Sequence, residues 1–483
     1  MSNILNIKLP NGIYYFIFIS ILLVSFISVQ ANFKLILFTT FIVLYILLTM
    51  IFNPLRVFIF FSIIFVTIKP NYQFHGVPYI GGVGASDFYL GIPHIVIFLF
   101  LISWLIDNIR FRQMKRFRLE YGRASLFLFI LMSFCATLVA PYKQASLSQL
   151  NFYIAMFLLH LIWVNVLLSF REFPTKLIII SFVLATIPQF LISLFQIIRG
   201  DQIGLGFLGE GAVSLRQGID FPSVTGTMVH SNPLSLFYAI VISMLFPFVL
   251  KQKQNLAVIG FIVALLGLLL TFTRTSILVT FAVAIFQIIL LKKQKEKYFS
   301  NKKLILFVLI VLTSIFFLGD YLLDRFKSLF TNSTDDQLNN RLIHDLYAWS
   351  LIREKLFIGY GLNNWHFWGK SSGFNSYILG RQYFYYLNPV HNIYLLIWFE
   401  GGFLYLLSFL MIFVSTFSFL IKLILKQNNY LALSVFSSLV VILMTGLVDW
   451  SLFAGGQLYY CMYFILAIGY ALNKKASILN HKL

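Results

Sequence analysis

Three arginines stand beside apolar runs, and their chemistry suits the binding of phosphate groups. Arg274 lies where almost no loop separates two such runs. A charge close to membrane depth is costly and indicates a functional site, although a side chain that reaches to the lipid headgroups is the alternative. Arg216 and Arg341 flank other polar segments. A guanidinium can hold a phosphate through two parallel hydrogen bonds.

Two histidines open apolar runs, and each has an asparagine within two residues. His391-Asn392 precedes a run that Glu400-Gly401-Gly402 interrupts, and His230 and Asn232 precede another. Histidine titrates near physiological pH, so each is a candidate general base. A packed interfacial side chain is the alternative interpretation of both.

Several other kinds of chemistry lack the residues that they require. The sequence contains no HExxH, GxSxG or Walker motif, so zinc hydrolysis, esterase chemistry and ATP-driven transport lose support. The two cysteines, Cys135 and Cys461, lie inside apolar runs, where neither a disulfide framework nor a CxxC metal site is available. We therefore expect no metal and no cofactor.

The elements that position these residues are predicted to be membrane helices. The chain has 483 residues, of which 60% are hydrophobic and 11% charged, and its mean hydropathy is +0.88. Soluble proteins carry about a quarter charged residues. This composition excludes soluble enzymes, disordered chains and nucleic-acid-binding proteins.

The apolar runs predict an all-α polytopic membrane protein, a single integral membrane domain over residues 1–483 with about fourteen transmembrane helices (12–14). A membrane-spanning helix needs about 20 mostly apolar residues. The predicted spans are 12–29, 35–51, 55–69, 88–106, 124–140, 151–170, 177–198, 233–250, 256–272, 275–291, 304–319, 391–421, 430–447 and 457–472.

The basic residues predict the orientation of the chain in the membrane. With both termini in the cytoplasm, the inner side carries 23 Lys and Arg with 4 acidic residues, and the outer side carries 13 with 12. Short inner loops are rich in Lys and Arg in membrane proteins. Most of the net charge of +20 is therefore a topology signal.

Two long outer loops, 199–232 and 320–390, contain most of the acidic residues. The second loop is too rich in aromatic residues for a disordered segment. Within it, residues 340–357 have apolar side chains at helical spacing, which predicts an amphipathic helix on the outer membrane face. Its aromatic residues either anchor the loop at the interface or stack on sugar rings.

Four short segments resemble, in their order along the chain, motifs of the Wzy/WaaL superfamily of O-antigen ligases, polysaccharide polymerases and related oligosaccharyltransferases. Asp87, after a glycine-rich stretch, resembles an earlier motif of that family. The chain departs from the family pattern at Tyr405, where a small residue is common, and in its larger number of spans. The four segments are Gly226-Thr227 with His230-Ser231-Asn232, Leu270 to Thr275, Ile358 to Leu362, and His391 to Leu395 with Glu400-Gly401-Gly402.

The resemblance implies a GT-C-like helical bundle in the bacterial plasma (inner) membrane, with its active site facing the periplasm or exterior. It implies a metal-independent glycosyltransferase whose donor is a glycan on undecaprenyl pyrophosphate. Arg216, Arg274 and Arg341 would bind the pyrophosphate and His391 would be the general base. His230 is the rival base. Asn232, Asn392 and Glu400 would bind or orient a substrate.

The acceptor is left open between two members of the same enzyme class. A polymerase adds glycan to a lipid-linked acceptor glycan, whereas a ligase transfers it to lipid A-core or to a protein. The additional spans and the aromatic loop favour a polymerase, for which a chain-length regulator is a further expected partner. A flippase for the same lipid-linked glycan is the alternative of another class. The intramembrane charges, such as Arg274 and Glu400, cluster toward the outside rather than along a path through the membrane.

Overall fold

The computed structural model describes residues 33–68, 72–73, 89–111, 117–119, 123–215, 222–250, 255–293, 336–371, 375–378, 381–384 and 390–480. Long apolar helices dominate this part of the chain because a helix satisfies all of its own backbone hydrogen bonds inside a bilayer. The helices, numbered in chain order, are α1 (Phe33–Ile51), α2 (Pro54–Ile64), α3 (Ile92–Phe111), α4 (Ala124–Val139), α5 (Lys143–Ser169), α6 (Thr175–Arg199), α7 (Ser231–Leu250), α8 (Asn255–Leu270), α9 (Arg274–Lys293), α10 (Asp336–Glu354), α11 (Trp365–Ser371), α12 (Ile393–Gln427), α13 (Tyr430–Thr445) and α14 (Gln457–Asn480).

Three short antiparallel pairs of strands accompany the helices in the described residues. The strands are β1 (Tyr72–Gln73) with β2 (Tyr89–Leu90), β3 (Ser214–Leu215) with β4 (Pro222–Ser223), and β5 (Asn375–Ile378) with β6 (Arg381–Phe384).

The all-α polytopic membrane fold predicted from the apolar runs is confirmed. Twelve of the fourteen predicted spans coincide with a helix, and the other two, 12–29 and 304–319, lie outside the described residues. Among the described residues, six helices are long and apolar enough to cross a membrane: α3, α5, α6, α7, α9 and α12. Five shorter apolar helices accompany them in the described part of the chain.

The helices form two compact units. The first comprises Met1–Ser62 and Val96–Phe117. In it, the Tyr45 hydroxyl donates to the Leu99 carbonyl at 3.2 Å and lies 2.6 Å from Ser103 Oγ. These bonds satisfy the tyrosine's polar tip among apolar side chains, and thereby join α1 to α3.

The second unit, Ile63–Ile95 with Arg118–Leu483, contains every described candidate site residue. Its centre is α7, which is almost entirely buried and packs against α6, α8, α9, α13 and α14. A helix that is apolar on all sides is stable only when other helices or lipid surround it. The first turn of α7, which follows His230, is therefore held by its neighbours.

Helix α12 is broken at Gly402, where the backbone has φ +78°. The loop before α11 closes on the break through three backbone bonds of 2.8 Å, from Tyr360 N to Phe399 O, from Gly361 N to Glu400 O, and from Phe403 N to Leu356 O. The loop thus satisfies carbonyls near the break. The interruption predicted at Glu400-Gly401-Gly402 is confirmed.

Glycine is required on both sides of this contact. A Cβ on Gly402 would overlap the Phe357 backbone, and a Cβ on Gly359 would lie 2.6 Å from Gly402 N. Both residues also have positive φ, a conformation that side chains with a Cβ adopt at a cost. The two glycine-containing segments singled out in the sequence therefore pack directly against each other.

Candidate functional site

The candidate site is built around His391, the second residue before α12. Asn392 is the N-cap of this helix, and its Oδ1 accepts from Tyr394 N at 2.9 Å and from Leu395 N at 3.2 Å. An asparagine at this position satisfies backbone donors that the first turn leaves open. Asn392, expected to orient a substrate, therefore fixes the start of the helix and with it the direction of the neighbouring imidazole.

A second attachment holds the same helix start against the segment after α13. Ile393 N donates to Gly446 O at 2.9 Å. A Cβ on Gly446 would overlap the Ile393 side chain, so the two segments approach as closely as a glycine allows. This approach brings the residues that follow Gly446 beside His391.

The most important of those residues is Asp449, a buried carboxylate that receives bonds from two other parts of the chain. Asn232 Nδ2 donates to Asp449 Oδ2 at 2.7 Å, and Arg341 Nη2 lies 4.0 Å from the same oxygen. Ser451 N donates to Asp449 Oδ1 at 2.7 Å. Asp449 therefore joins the start of α7, helix α10 and the segment after α13.

Arg341 projects from the second turn of α10 toward this carboxylate. Its Nη1 donates to Val448 O at 3.2 Å, and 31% of its side chain is exposed. A guanidinium has five N–H donors. These two interactions leave it able to bind an anion from the exposed side.

His230 and Asn232 are joined within their own segment. Asn232 N donates to His230 Nδ1 at 3.2 Å. The His230 side chain is exposed, whereas the Asn232 side chain reaches Asp449. The structure thus brings His230, Asn232, Arg341 and His391 together.

The segment that carries His230 is positioned by buried amides. Gln189 Nε2 donates to Thr227 Oγ1 at 2.6 Å, and Gln457 Nε2 donates to Thr227 O at 3.1 Å. Val229 N donates to Gly209 O at 2.9 Å. Buried polar groups joined in this way define one backbone conformation, because leaving any of them unpaired is costly.

The electrostatics of the cluster keep His391 neutral. Its pKa is lowered from 6.5 to about 4, first by burial and then by the positive charge of Arg341. Asp449 acts in the opposite direction, while His344 and His230 lower the pKa further. At neutral pH the imidazole is therefore uncharged and able to accept a proton.

Two more titratable groups of α10 lie in this region, His344 and Asp345. The His344 ring is nearly parallel to that of His391, at 7°, with 6.4 Å between ring centroids, and burial lowers its pKa. Burial raises the pKa of Asp345 to about 6, although Arg341 opposes the shift. Neither residue was a candidate from the sequence.

The Glu400 carboxylate forms a hydrogen bond at the break of α12. Its Oε1 accepts from Asn363 N at 3.0 Å, and the side chain is buried. Asn363 has φ +52°, so this bond supports a turn that is unfavourable for most residues. Glu400 thereby organises the loop that packs on the break.

Arg274 is the first residue of α9 and is half-buried. Two residues later, Ser276 Oγ lies 2.7 Å from Ser235 Oγ, and Ser235 Oγ donates to Asn232 O at 2.7 Å. The start of α9 is thus attached to the start of α7, at the end of the bundle where Asn232 lies. Arg216 and Asp87 lie outside the described residues.

Sequence reasoning missed Asp449 and His344. A signal for Asp449 existed, since it is an acidic residue in the short segment between the predicted spans 430–447 and 457–472. His344 lies three residues after Arg341, one helical turn away on the predicted amphipathic helix. Both residues could have been found by asking which other polar residues are predicted to lie at the same helix end as a candidate residue.

Comparison with known families gives a match over part of the chain. Residues 259–410 match the family model described as O-antigen ligase. The matched segment includes Arg274, Arg341, His391 and Glu400, whereas His230 precedes it and Asp449 follows it. No curated protein matches the chain.

Proposed function

We propose that this chain is a membrane glycan-transfer enzyme of the Wzy/WaaL superfamily and that its donor is a glycan on undecaprenyl pyrophosphate. The match of residues 259–410 to the O-antigen ligase family model supports the proposal. In the proposed reaction, an acceptor hydroxyl oxygen forms a bond to the anomeric carbon of the donor sugar. The bond from that carbon to the pyrophosphate oxygen breaks, and its electron pair leaves with the lipid pyrophosphate. The hydroxyl proton passes to His391.

The observation that carries this proposal is the convergence of Arg341, Asp449 and His391 from three separate parts of the chain. A base and a cation held side by side suit a reaction in which a proton is removed while an anion departs. The neutral state of His391 and the partly exposed guanidinium of Arg341 support the two roles.

We assign the pyrophosphate to Arg341, together with Arg274 and Arg216. Pyrophosphate is already a weakly basic leaving group, so stabilisation of its charge is the main requirement. Arginines can provide this stabilisation in place of Mg²⁺, and we therefore propose a metal-independent reaction. The attachment of the start of α9 to α7 supports the inclusion of Arg274.

The remaining candidate residues, apart from His230, hold other groups in place and take no direct part in the reaction. Asp449 and Asn232 hold Arg341 beside the start of α7, and Asn392 holds the start of α12. Glu400 would orient the acceptor or His391 through the loop that it organises. His230 is the alternative base, since it lies in the same cluster and is exposed.

The direct test uses purified protein in lipid nanodiscs with an undecaprenyl-pyrophosphate glycan and an acceptor glycan. We expect a new glycosidic bond and release of undecaprenyl pyrophosphate, with activity retained in EDTA. Transport of the donor across a bilayer without bond formation would instead identify a flippase.

For the acceptor, we propose a lipid-linked glycan, so that the enzyme is a polymerase of O-antigen, capsule or exopolysaccharide type. The description of the matched family favours a second candidate, a ligase that transfers glycan to lipid A-core or a protein. A deletion strain distinguishes them. Single repeat units at the usual destination indicate a polymerase, whereas full-length chains stranded on the carrier indicate a ligase. A chain-length regulator is a proposed partner of the polymerase.

We propose that the reaction occurs on the outer face of the bacterial plasma membrane, because the charge distribution predicts that α10 lies outside. A topology reporter fused after residue 350 should be active only in the periplasm or exterior. A cytoplasmic signal from that fusion would reverse the orientation.

A further inference from the structure

His344 is a buried imidazole in the candidate site to which the proposed reaction has so far given no task. It lies on α10, one turn after Arg341, and only 8% of it is exposed. Its ring is nearly parallel to that of His391, with 6.4 Å between centroids. Two imidazoles from different helices are thus arranged around the same small volume.

The distance between the rings excludes a direct bond and fits a bridging atom. Because a ring nitrogen lies about 1.1 Å from its centroid, the nitrogens of the two rings remain about 4 Å apart or more, beyond a hydrogen bond of roughly 3 Å. One oxygen that bonds to both at about 2.8 Å can span up to about 5.6 Å. The spacing therefore admits a single hydroxyl oxygen bonded to one nitrogen of each ring.

The protonation states of the two rings complement a hydroxyl group. Burial lowers the pKa of His344, and burial with the charge of Arg341 lowers that of His391, so both rings are neutral near pH 7. A neutral imidazole offers one N–H donor and one acceptor nitrogen. A hydroxyl can donate to the acceptor of one ring while its oxygen accepts from the N–H of the other.

We propose that His344 binds the acceptor sugar by donating its N–H to the hydroxyl oxygen whose proton His391 removes. This assignment rests on the proposed glycosyl transfer. During the reaction the oxygen forms its bond to the anomeric carbon, its proton goes to His391, and the electron pair of the broken bond leaves with the pyrophosphate. His344 keeps its own proton throughout and directs the oxygen lone pair toward the donor.

The test separates acceptor binding from donor binding in steady-state kinetics. His344→Phe retains a planar ring but removes the donor, and should raise the KM for the acceptor glycan about tenfold, the value of one hydrogen bond of about 1.4 kcal/mol. The KM for the donor should stay within about twofold. His344→Gln restores an N–H donor and should recover most of the acceptor affinity.

Arg353→Gln is the matched control, because Arg353 is an exposed residue near the end of the same helix. It should change neither KM. Equal losses of donor and acceptor affinity in both His344 variants, or an acceptor KM that stays normal in a folded His344→Phe protein, would overturn the assignment. If His344→Phe does not fold, His344→Gln with a tenfold higher acceptor KM also overturns it. A wild-type protein that forms no glycosidic bond would instead overturn the proposed function.

Discussion

The start of α12 and its break at Gly402 are close in sequence but use their polar groups differently. At the break, Glu400 and the neighbouring carbonyls bond to the backbone of one loop, and Tyr360 stacks on Phe399 at 4.9 Å. At the start, His391 and Arg341 are held by separate elements, and part of the arginine is exposed. The break therefore serves the fold, whereas we propose that the start of α12 serves chemistry.

The difference predicts two separable kinds of variant. Substitutions of His391 and Arg341 at the start of α12 should lower turnover and leave folding intact, because we propose that these two side chains face a substrate. Substitutions at the break should lower stability and leave the turnover of folded molecules nearly unchanged, because its groups are satisfied by the protein itself.

The largest effect is expected for His391→Ala. Loss of a general base lowers turnover by about 10²–10⁴-fold. Donor binding and thermal stability should change little, as measured by glycan transfer and by unfolding in nanodiscs. His230→Ala should lower turnover less. A nearly normal His391→Ala enzyme beside an inactive His230→Ala enzyme would exchange the two roles.

Arg341→Ala should lower turnover by about 10²–10³-fold, the usual loss when one stabilising donor is removed from a developing anion. Arg341→Lys should remain impaired, since it keeps the charge but loses the planar fork. The same pair of substitutions at Arg274 should act in the same direction. Arg353→Gln, on the exposed face of α10, serves as the control. Normal turnover of Arg274→Ala would favour the interpretation that its side chain only reaches to the headgroups.

The variant Gly402→Ala tests whether the packing at the break of α12 stabilises the folded protein. Its Cβ would overlap the Phe357 backbone and would require positive φ, so we expect a loss of stability on the order of 3 kcal/mol. The matched control is Gly206→Ala, because a Cβ there meets no atom within 4 Å. The comparison uses the midpoint of thermal unfolding in nanodiscs. Equal midpoints for the two variants would contradict the packing account.

The pH dependence of kcat/KM tests the charge environment of His391. Because its pKa is lowered to about 4, the free enzyme should keep a neutral base, and a constant kcat/KM, from about pH 7 down to about pH 5. Arg341→Gln removes a positive charge that faces His391, so the pKa should rise and the acid limb should move to higher pH. Asp449, which acts oppositely, is unchanged in this variant. Asp345 has a pKa of about 6, so the same profile is measured in Asp345→Asn. An acid limb near 6.5 that persists in that variant would show that His391 is not held as described.

The smallest effect is expected for Glu400→Gln. The amide oxygen can still accept from Asn363 N, so turnover should stay within about threefold of the wild type. Asp449→Asn is its counterpart at the start of α12. This variant loses the negative charge beside Arg341 and should lower turnover by about tenfold, because bonds to charged groups contribute about 1.5–3 kcal/mol. A Glu400→Gln protein that folds but is inactive would show that the Glu400 carboxylate takes part in the reaction.

The sequence by itself determined the membrane helices and the separate candidates. A bilayer requires a continuous apolar run, so spans such as 177–198 and 233–250 are visible without any knowledge of neighbours. His391-Asn392 and Glu400-Gly401-Gly402 were visible too, because each is a local pattern of polar or flexible residues beside an apolar helix.

Only the tertiary structure decided which of these residues meet. Asn232, Arg341 and Asp449 are far apart in the chain, and their convergence depends on the packing of α7 against α13 and of α10 against α12. Helix packing depends on the shapes of many apolar side chains, which a hydropathy pattern does not record. For the same reason the sequence did not reveal that Glu400 bonds to a loop, or that His344 lies parallel to His391.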